Sequence, residues 1–243
     1  MVINDKVRNK VWTERIDSKL DTKSWENQAL AILKYFFPVV FANLYSSDAP
    51  DLQDRRMVWG IEVVRVGSEE ESRLLGEIYQ YYNGKEDHDE TKAEKYKVKI
   101  LRDGGSFTNE GGVEVPLTSS SIEKSEFKDA MLKKLAKLPE YKEKGFAHMG
   151  LFMIHNITPL QFLEPKEIRE WLDSVQKDSP NKYDRIFVLD WDNDRQLNRL
   201  VIMDFESGEL EIKHIPASIM MDCVKYGRLA AEGGVSSDEP IWI

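Results

Sequence analysis

The order of apolar and polar positions along the chain predicts an alternation of helices and strands. In residues 24–37, Trp25, Ala29, Ile32, Leu33 and Phe36 recur at helical spacing, Ser24 stands as N-cap, and Pro38 stops the helix. The apolar run VVFANLY that follows has the length of a strand. After a turn-rich SSDAPD comes VWGIEVVRV, rich in β-branched residues and apolar on both of its faces, which predicts a second, buried strand. Leu74, Leu75, Ile78 and Tyr82 return to helical spacing behind three acidic residues suited to a helix N-terminus. The opening order is therefore helix, strand, strand, helix.

Further along, residues 84–95 are almost wholly charged and predict a surface loop or an exposed helix start. YKVKILR (96–102) predicts a strand, the Gly-doublet stretch that follows predicts turns around a short extended piece, and residues 121–138 an amphipathic helix with a Lys-rich polar face. Residues 146–157 predict a buried strand and residues 165–177 a helix opening on Pro165. RIFVLDW, LVIMDF and LEIKHI predict three strands joined by short turns, and residues 218–232 a closing helix. No Pro/Ser-rich linker or fixed-period repeat interrupts the series, so the reading is one mixed α/β domain over 1–243.

Composition narrows the function classes. With 41% apolar and 32% charged residues the chain has the balance of a soluble globular protein. A net charge of −9 argues against a broad basic surface coating nucleic acid, while leaving room for a local positive groove. One cysteine, Cys223, excludes an internal disulfide framework and a cysteine zinc site, and its Met-rich helical surroundings suit a buried structural thiol. The N-terminal residues lack an apolar secretory core, and the longest apolar stretch is broken by Lys34 and Pro38. The expectation is a cytoplasmic protein without a membrane partner.

The chemistry concentrates in Pro50-Asp51 and, after ten intervening residues, Glu62-Val63-Val64. Carboxylates delivered by neighbouring β elements converge readily, and Asp51, Glu62 and the carbonyl of Val63 would form a partial oxygen shell for Mg²⁺ or Mn²⁺. Glu62 lies in a strand read as buried on both faces, where a charge requires a partner. Glu26, beside the Trp25 stripe, is a candidate third carboxylate, with a plain helix-surface residue as its alternative.

This arrangement resembles the PD-(D/E)xK nuclease-like superfamily, with its restriction-endonuclease-like mixed sheet flanked by helices. The likeness spans about residues 20–85: a helix bearing Glu26, Pro50-Asp51 opening the second strand, Glu62-Val63-Val64 on the third, and a helix directly afterwards. It implies metal-dependent hydrolysis of DNA phosphodiesters, with Asp51 and Glu62 as the catalytic, metal-ligating carboxylates. In that family a lysine two residues after the second acid activates or orients the hydrolytic water, and here that position is Val64. Members with a migrated or replaced lysine are known. Arg65 points to the opposite face and is no substitute, and Glu77 and Gln80 on the following helix are weaker candidates. The resemblance thus implies either a nuclease or a non-enzymatic accessory or immunity protein that binds a protein partner on the same scaffold.

The remaining motifs read as structure. Asp190-Trp191-Asp192-Asn193-Asp194 opens like a calcium loop but lacks its Gly and closing Glu, and predicts an acidic hairpin turn. His148 and His155, seven apart on one strand, face opposite sides, so no histidine metal site is expected. The lysines of residues 121–144, Lys134 among them, read as a solvated face.

Overall fold

A computed structural model describes residues 18–66, 69–110, 113–117, 124–155, 165–192 and 197–235. Asn193 and Asp194 of the acidic turn lie outside them, as does the C-terminal tail. The chain read as one 1–243 domain divides into two compact units: residues 1–65 with 128–243, and residues 66–127.

The first unit is built on a seven-stranded mixed sheet of spatial order β1-β2-β3-β6-β7-β8-β9. Its strands are β1 (Leu44–Ser46), β2 (Leu52–Asp54), β3 (Trp59–Arg65), β6 (His148–His155), β7 (Arg185–Asp192), β8 (Leu197–Asp204) and β9 (Leu210–His214). The central pairs β3–β6 and β6–β7 are parallel and the outer pairs antiparallel. This is the α/β class expected from the sequence.

The pleat sorts each strand into two faces. Ile61 and Val63, Phe152 and Ile154, Phe187 and Leu189, Leu200 and Ile202 share one core with helix α1 (Ser18–Phe36) and helix α7 (Ala217–Ala231). Ala29 to Leu33 of α1 are fully buried, as are Met220 and Cys223 of α7. The two helices touch at Gly227, where a Cβ would stand 2.5 Å from the Ser24 carbonyl oxygen. Leu151, Met153, Ile186, Val188, Val201 and Met203, alternating with the first set, are buried on the opposite face, and Glu62 belongs to this second set. On the same side lies helix α4 (Lys124–Leu135), which is followed by α5 (Leu138–Glu143); α6 (Pro165–Gln176) precedes β7.

In the second unit, helices α2 (Glu69–Glu86) and α3 (Glu90–Arg102) close a small core of Leu74, Tyr81, Ala93 and Ile100, with Phe107 of the β4 (Ser106–Glu110) and β5 (Val113–Leu117) hairpin against it. Glu77 pairs here with Arg102.

Three expectations are corrected. Residues 96–102 form helix rather than strand: Asp89 caps α3 by accepting from the Lys92 N–H at 2.9 Å, and Ala93, Tyr96 and Ile100 fall on one helical stripe against α2. The short apolar pattern around Val98 fits both periods, and packing chooses the helix; Val98 itself is 59% exposed. Residues 39–43 are turns rather than strand, because only Phe41 enters the core while Val39 is 85% exposed. The run 39–45 becomes strand only at its end, in β1, and the strand expected to open at Pro50-Asp51 is the three-residue β2. Helix α1 also starts at Ser18, before Ser24.

Candidate functional site

The register of β2 against β3, with Leu52 opposite Ile61, carries Asp51 to the place opposite Glu62. Residues directly opposite on neighbouring strands point to the same face. Asp51 is fixed there by the neighbouring strand β3: its Oδ2 accepts the Val63 N–H at 2.7 Å. In a strand the N–H and C=O of one residue face the same neighbour, so the Val63 carbonyl also faces the β2 side. The turn carrying Asp51 is fastened by Ser47 N–H to the Asp51 carbonyl (2.8 Å), and by Gln53 Nε2 (2.9 Å) and Lys144 Nζ (2.8 Å) to the Ala49 carbonyl. Gly60 lets the turn close down, since a Cβ there would meet Pro50 Cγ and Met149 Sδ at 2.9 Å.

Lys134 from α4 completes the arrangement. Its Nζ donates to Asp51 Oδ2 at 3.2 Å and forms a short ion pair with Glu62 Oε2. Glu62 is 1% exposed, while the Asp51 and Lys134 side chains keep 14% and 17%. The group is therefore sealed at Glu62 and open at Asp51 and Lys134. Burial works against the Lys134 charge, but the two carboxylates outweigh it and hold the ammonium above the usual lysine range. Lys134 is thus not part of a solvated face, as the Lys-rich pattern of residues 121–144 predicts. The apolar stripe of its helix runs Phe127, Ala130, Met131, Leu135. Seven residues beyond Phe127, position 134 lies on that stripe; a cation in an inward position was the signal available.

Two phenols border the pair. Tyr141 of α5 keeps its proton far above the ordinary tyrosine range, through burial first and then through the hydrogen bond and charge of Glu62. The Tyr183 hydroxyl is buried with no hydrogen-bond partner among the described residues, and burial followed by the Glu62 charge holds its proton likewise.

Glu26 stands close enough to feel the charges of Asp51 and Lys134, but its partner is Lys23, 2.8 Å away, which also reaches the Ser47 carbonyl at 2.7 Å. Burial pushes the Glu26 carboxyl up to about 7 against the pull of Lys23. Among the described residues no three His, Cys, Asp or Glu side chains converge as a metal-binding group. What the site offers is two carboxylates, with the Val63 carbonyl on the same edge. Mg²⁺ is commonly held by one or two carboxylates with its other positions in water. Glu62 Oε1 is buried with no hydrogen bond of standard geometry among the described residues. The donor set fits such an ion. With both carboxylates ionised beside one ammonium, the group carries a net charge of −1.

Val64 stays at the lysine position of the motif, and Arg65 stacks over Trp25 of α1 at 5.5 Å. His155 is buried, and burial together with the Arg65 charge lowers it to about 4. Cys223 is buried and its thiol is pushed up by burial. Among the described residues no helix is long and apolar enough to cross a membrane.

No family model, curated protein or solved structure matches the chain.

Proposed function

We propose that the protein is a metal-dependent nuclease of the PD-(D/E)xK type, on a restriction-endonuclease-like sheet, whose motif lysine has moved from position 64 to Lys134. The observation that carries this reading is the contact of one ammonium, from a helix distant in sequence, with both motif carboxylates. Asp51 and Glu62 would hold Mg²⁺ or Mn²⁺, with the Val63 carbonyl as a further donor. A divalent ion there supplies polarisation of the phosphodiester and a lowered pKa for its bound water. Asp51 is kept in position by the Val63 N–H, Glu62 is kept out of bulk water, and Lys134 orients the attacking water or the scissile phosphate by donating from a charged amine.

A second reading rests on the same contact seen as an endpoint. Lys134 already neutralises part of the carboxylate charge, which is what a structural ion pair does, and the acidic chain would then meet a protein partner. Calorimetric titration of Mg²⁺ and Mn²⁺ into wild type and Glu62→Gln, followed by cleavage assays on single- and double-stranded DNA, separates the two. The nuclease reading expects binding that Glu62→Gln abolishes, and cleavage that Lys134→Ala removes while the metal is still bound. Absence of binding in the wild type, or binding without cleavage of either DNA, favours the scaffold.

A further inference from the structure

The far edge of the sheet carries an inference independent of the nuclease reading. Strand β9 pairs with β8 on one side, and among the described residues no strand pairs with its other side. Two bonds fix the direction of its backbone: Asp204 N–H to the Glu209 carbonyl (3.0 Å) and Ile215 N–H to the Asn198 carbonyl (2.9 Å). Residues 209, 211, 213 and 215 therefore turn their peptide groups toward β8. Alternation turns the N–H and C=O groups of Leu210, Ile212 and His214 outward.

Natural sheets blunt such an edge with shortness, proline, a bulge or charged side chains, lysine above all. Strand β9 has no proline, and its register with β8 runs unbroken from Arg199↔His214 to Met203↔Leu210. Its two charges are of opposite sign and flank Ile212 symmetrically. The Lys213 ammonium is drawn inward over the rings of Phe36 (5.7 Å) and Phe37 (5.3 Å) and onto Glu211 (2.6 Å). Leu210 and Ile212, on the other face, are 37% and 41% exposed.

We propose that β9 is a self-association edge, pairing antiparallel with β9 of a second copy about a two-fold axis through Ile212. That register opposes Ile212 to its own copy, Leu210 to the partner's His214, and Glu211 to the partner's Lys213. All three outward-facing residues of each strand then find main-chain partners. The two Glu–Lys pairs fall at non-hydrogen-bonded positions, where side chains approach most closely. Ile212 stacks on Ile212 across the axis. The pattern is self-complementary, as a two-fold interface requires, and neither a parallel pairing nor a shift by one residue preserves both the charge pairs and the apolar contact.

The test is sedimentation equilibrium of the full chain in about 0.15 M salt, where long-range repulsion between two acidic copies is screened. The expected weight-average mass rises with concentration from 28.2 kDa toward twice that value. Ile212→Pro removes an outward N–H that β8 does not use, so the expected outcome is a folded monomer by circular dichroism. Should that variant fail to fold, the charge variants decide. Glu211→Lys or Lys213→Glu alone should weaken the dimer by about tenfold or more, by opposing like charges. The exchanged double variant, Glu211→Lys with Lys213→Glu, should recover it. A chain that stays monomeric throughout, or a dimer indifferent to these substitutions, overturns the proposal.

Discussion

Lys134 and Glu62 stand 72 residues apart in the chain and meet as an ion pair on the inner face of β3, with the carboxylate almost fully buried. Breaking such a pair from one side strands a charge in a poorly solvated place, which costs about 3–5 kcal/mol. Lys134→Met should therefore lower the urea midpoint strongly. Lys134→Met with Glu62→Gln should recover much of the loss, and the double-mutant cycle should show coupling above about 1 kcal/mol. Additive losses would mean that the contact is weak in solution.

Two buried groups give opposite pH dependences. Glu26 has its folded pKa raised from 4.5 to about 7, so its contribution is most favourable below pH 4.5 and is lost as pH rises toward 7. His155 has its folded pKa lowered from 6.5 to about 4, so its contribution is present above pH 6.5 and is lost as pH falls toward 4. Across this shared window the two oppose each other. Glu26→Gln should raise Tm at pH 8 by about 2–4 °C and steepen the acid decline. His155→Gln should flatten the acid side. Thermal melts from pH 4 to 8 check both, and identical pH profiles in the wild type and the two variants would refute the assignment.

Gly60→Ala places a methyl group against Pro50 Cγ and Met149 Sδ, both 2.9 Å from the new carbon, and close to Phe146. The Pro50 turn must retreat, taking Asp51 from its bond to the Val63 N–H. The expected result is a loss of about 1–3 kcal/mol in stability, together with weakened Mg²⁺ binding measured by calorimetry. A variant that binds as wild type would show that the turn does not govern Asp51.

Gly227→Ala tests the opposite face. The added methyl would lie 2.5 Å from the Ser24 carbonyl oxygen and 3.0 Å from the Gln28 nitrogen, both backbone atoms that cannot rotate away. Helices α1 and α7 must separate, and a loss of at least about 1–3 kcal/mol in chemical denaturation is expected. This exceeds the gain in helix propensity from Gly to Ala of about 1 kcal/mol. A stabilised variant would exclude the close crossing.

Much of this was legible because burial leaves periodic traces. Strand β3 reads as apolar on both faces and is buried through Val63, and Glu62 stands out as a carboxylate in a strand that faces no water. The Asp51 turn is marked by Pro50 and its polar neighbours. Residues 96–102, seven residues with alternating apolar positions, satisfy both periods, and only the α2 partner decides between them. The 39–43 stretch misleads because Val39 and Val40 have strand character yet remain outside the core. Lys134 escaped for another reason. The motif directs attention two residues past Glu62, whereas the cation enters from a helix that sequence order does not connect to β3, and only the helical phase of Phe127, Met131 and Lys134 hints at it.

The parallel pairing of β3 with β6 sets Trp59 opposite His148, and residues 66–127 form a compact unit of their own between them. During synthesis the whole of that intervening unit leaves the ribosome before β3 has a neighbour on its β6 side. Local helix and hairpin contacts form fast, whereas closing a long loop onto a parallel strand is slow. Asp51 and Glu62 therefore gain their partner Lys134, and Glu62 its β6 neighbour, only after residues 66–127 have been made. Burial of Glu62 thus waits on segments that follow the inserted unit in the chain, Lys134 and β6.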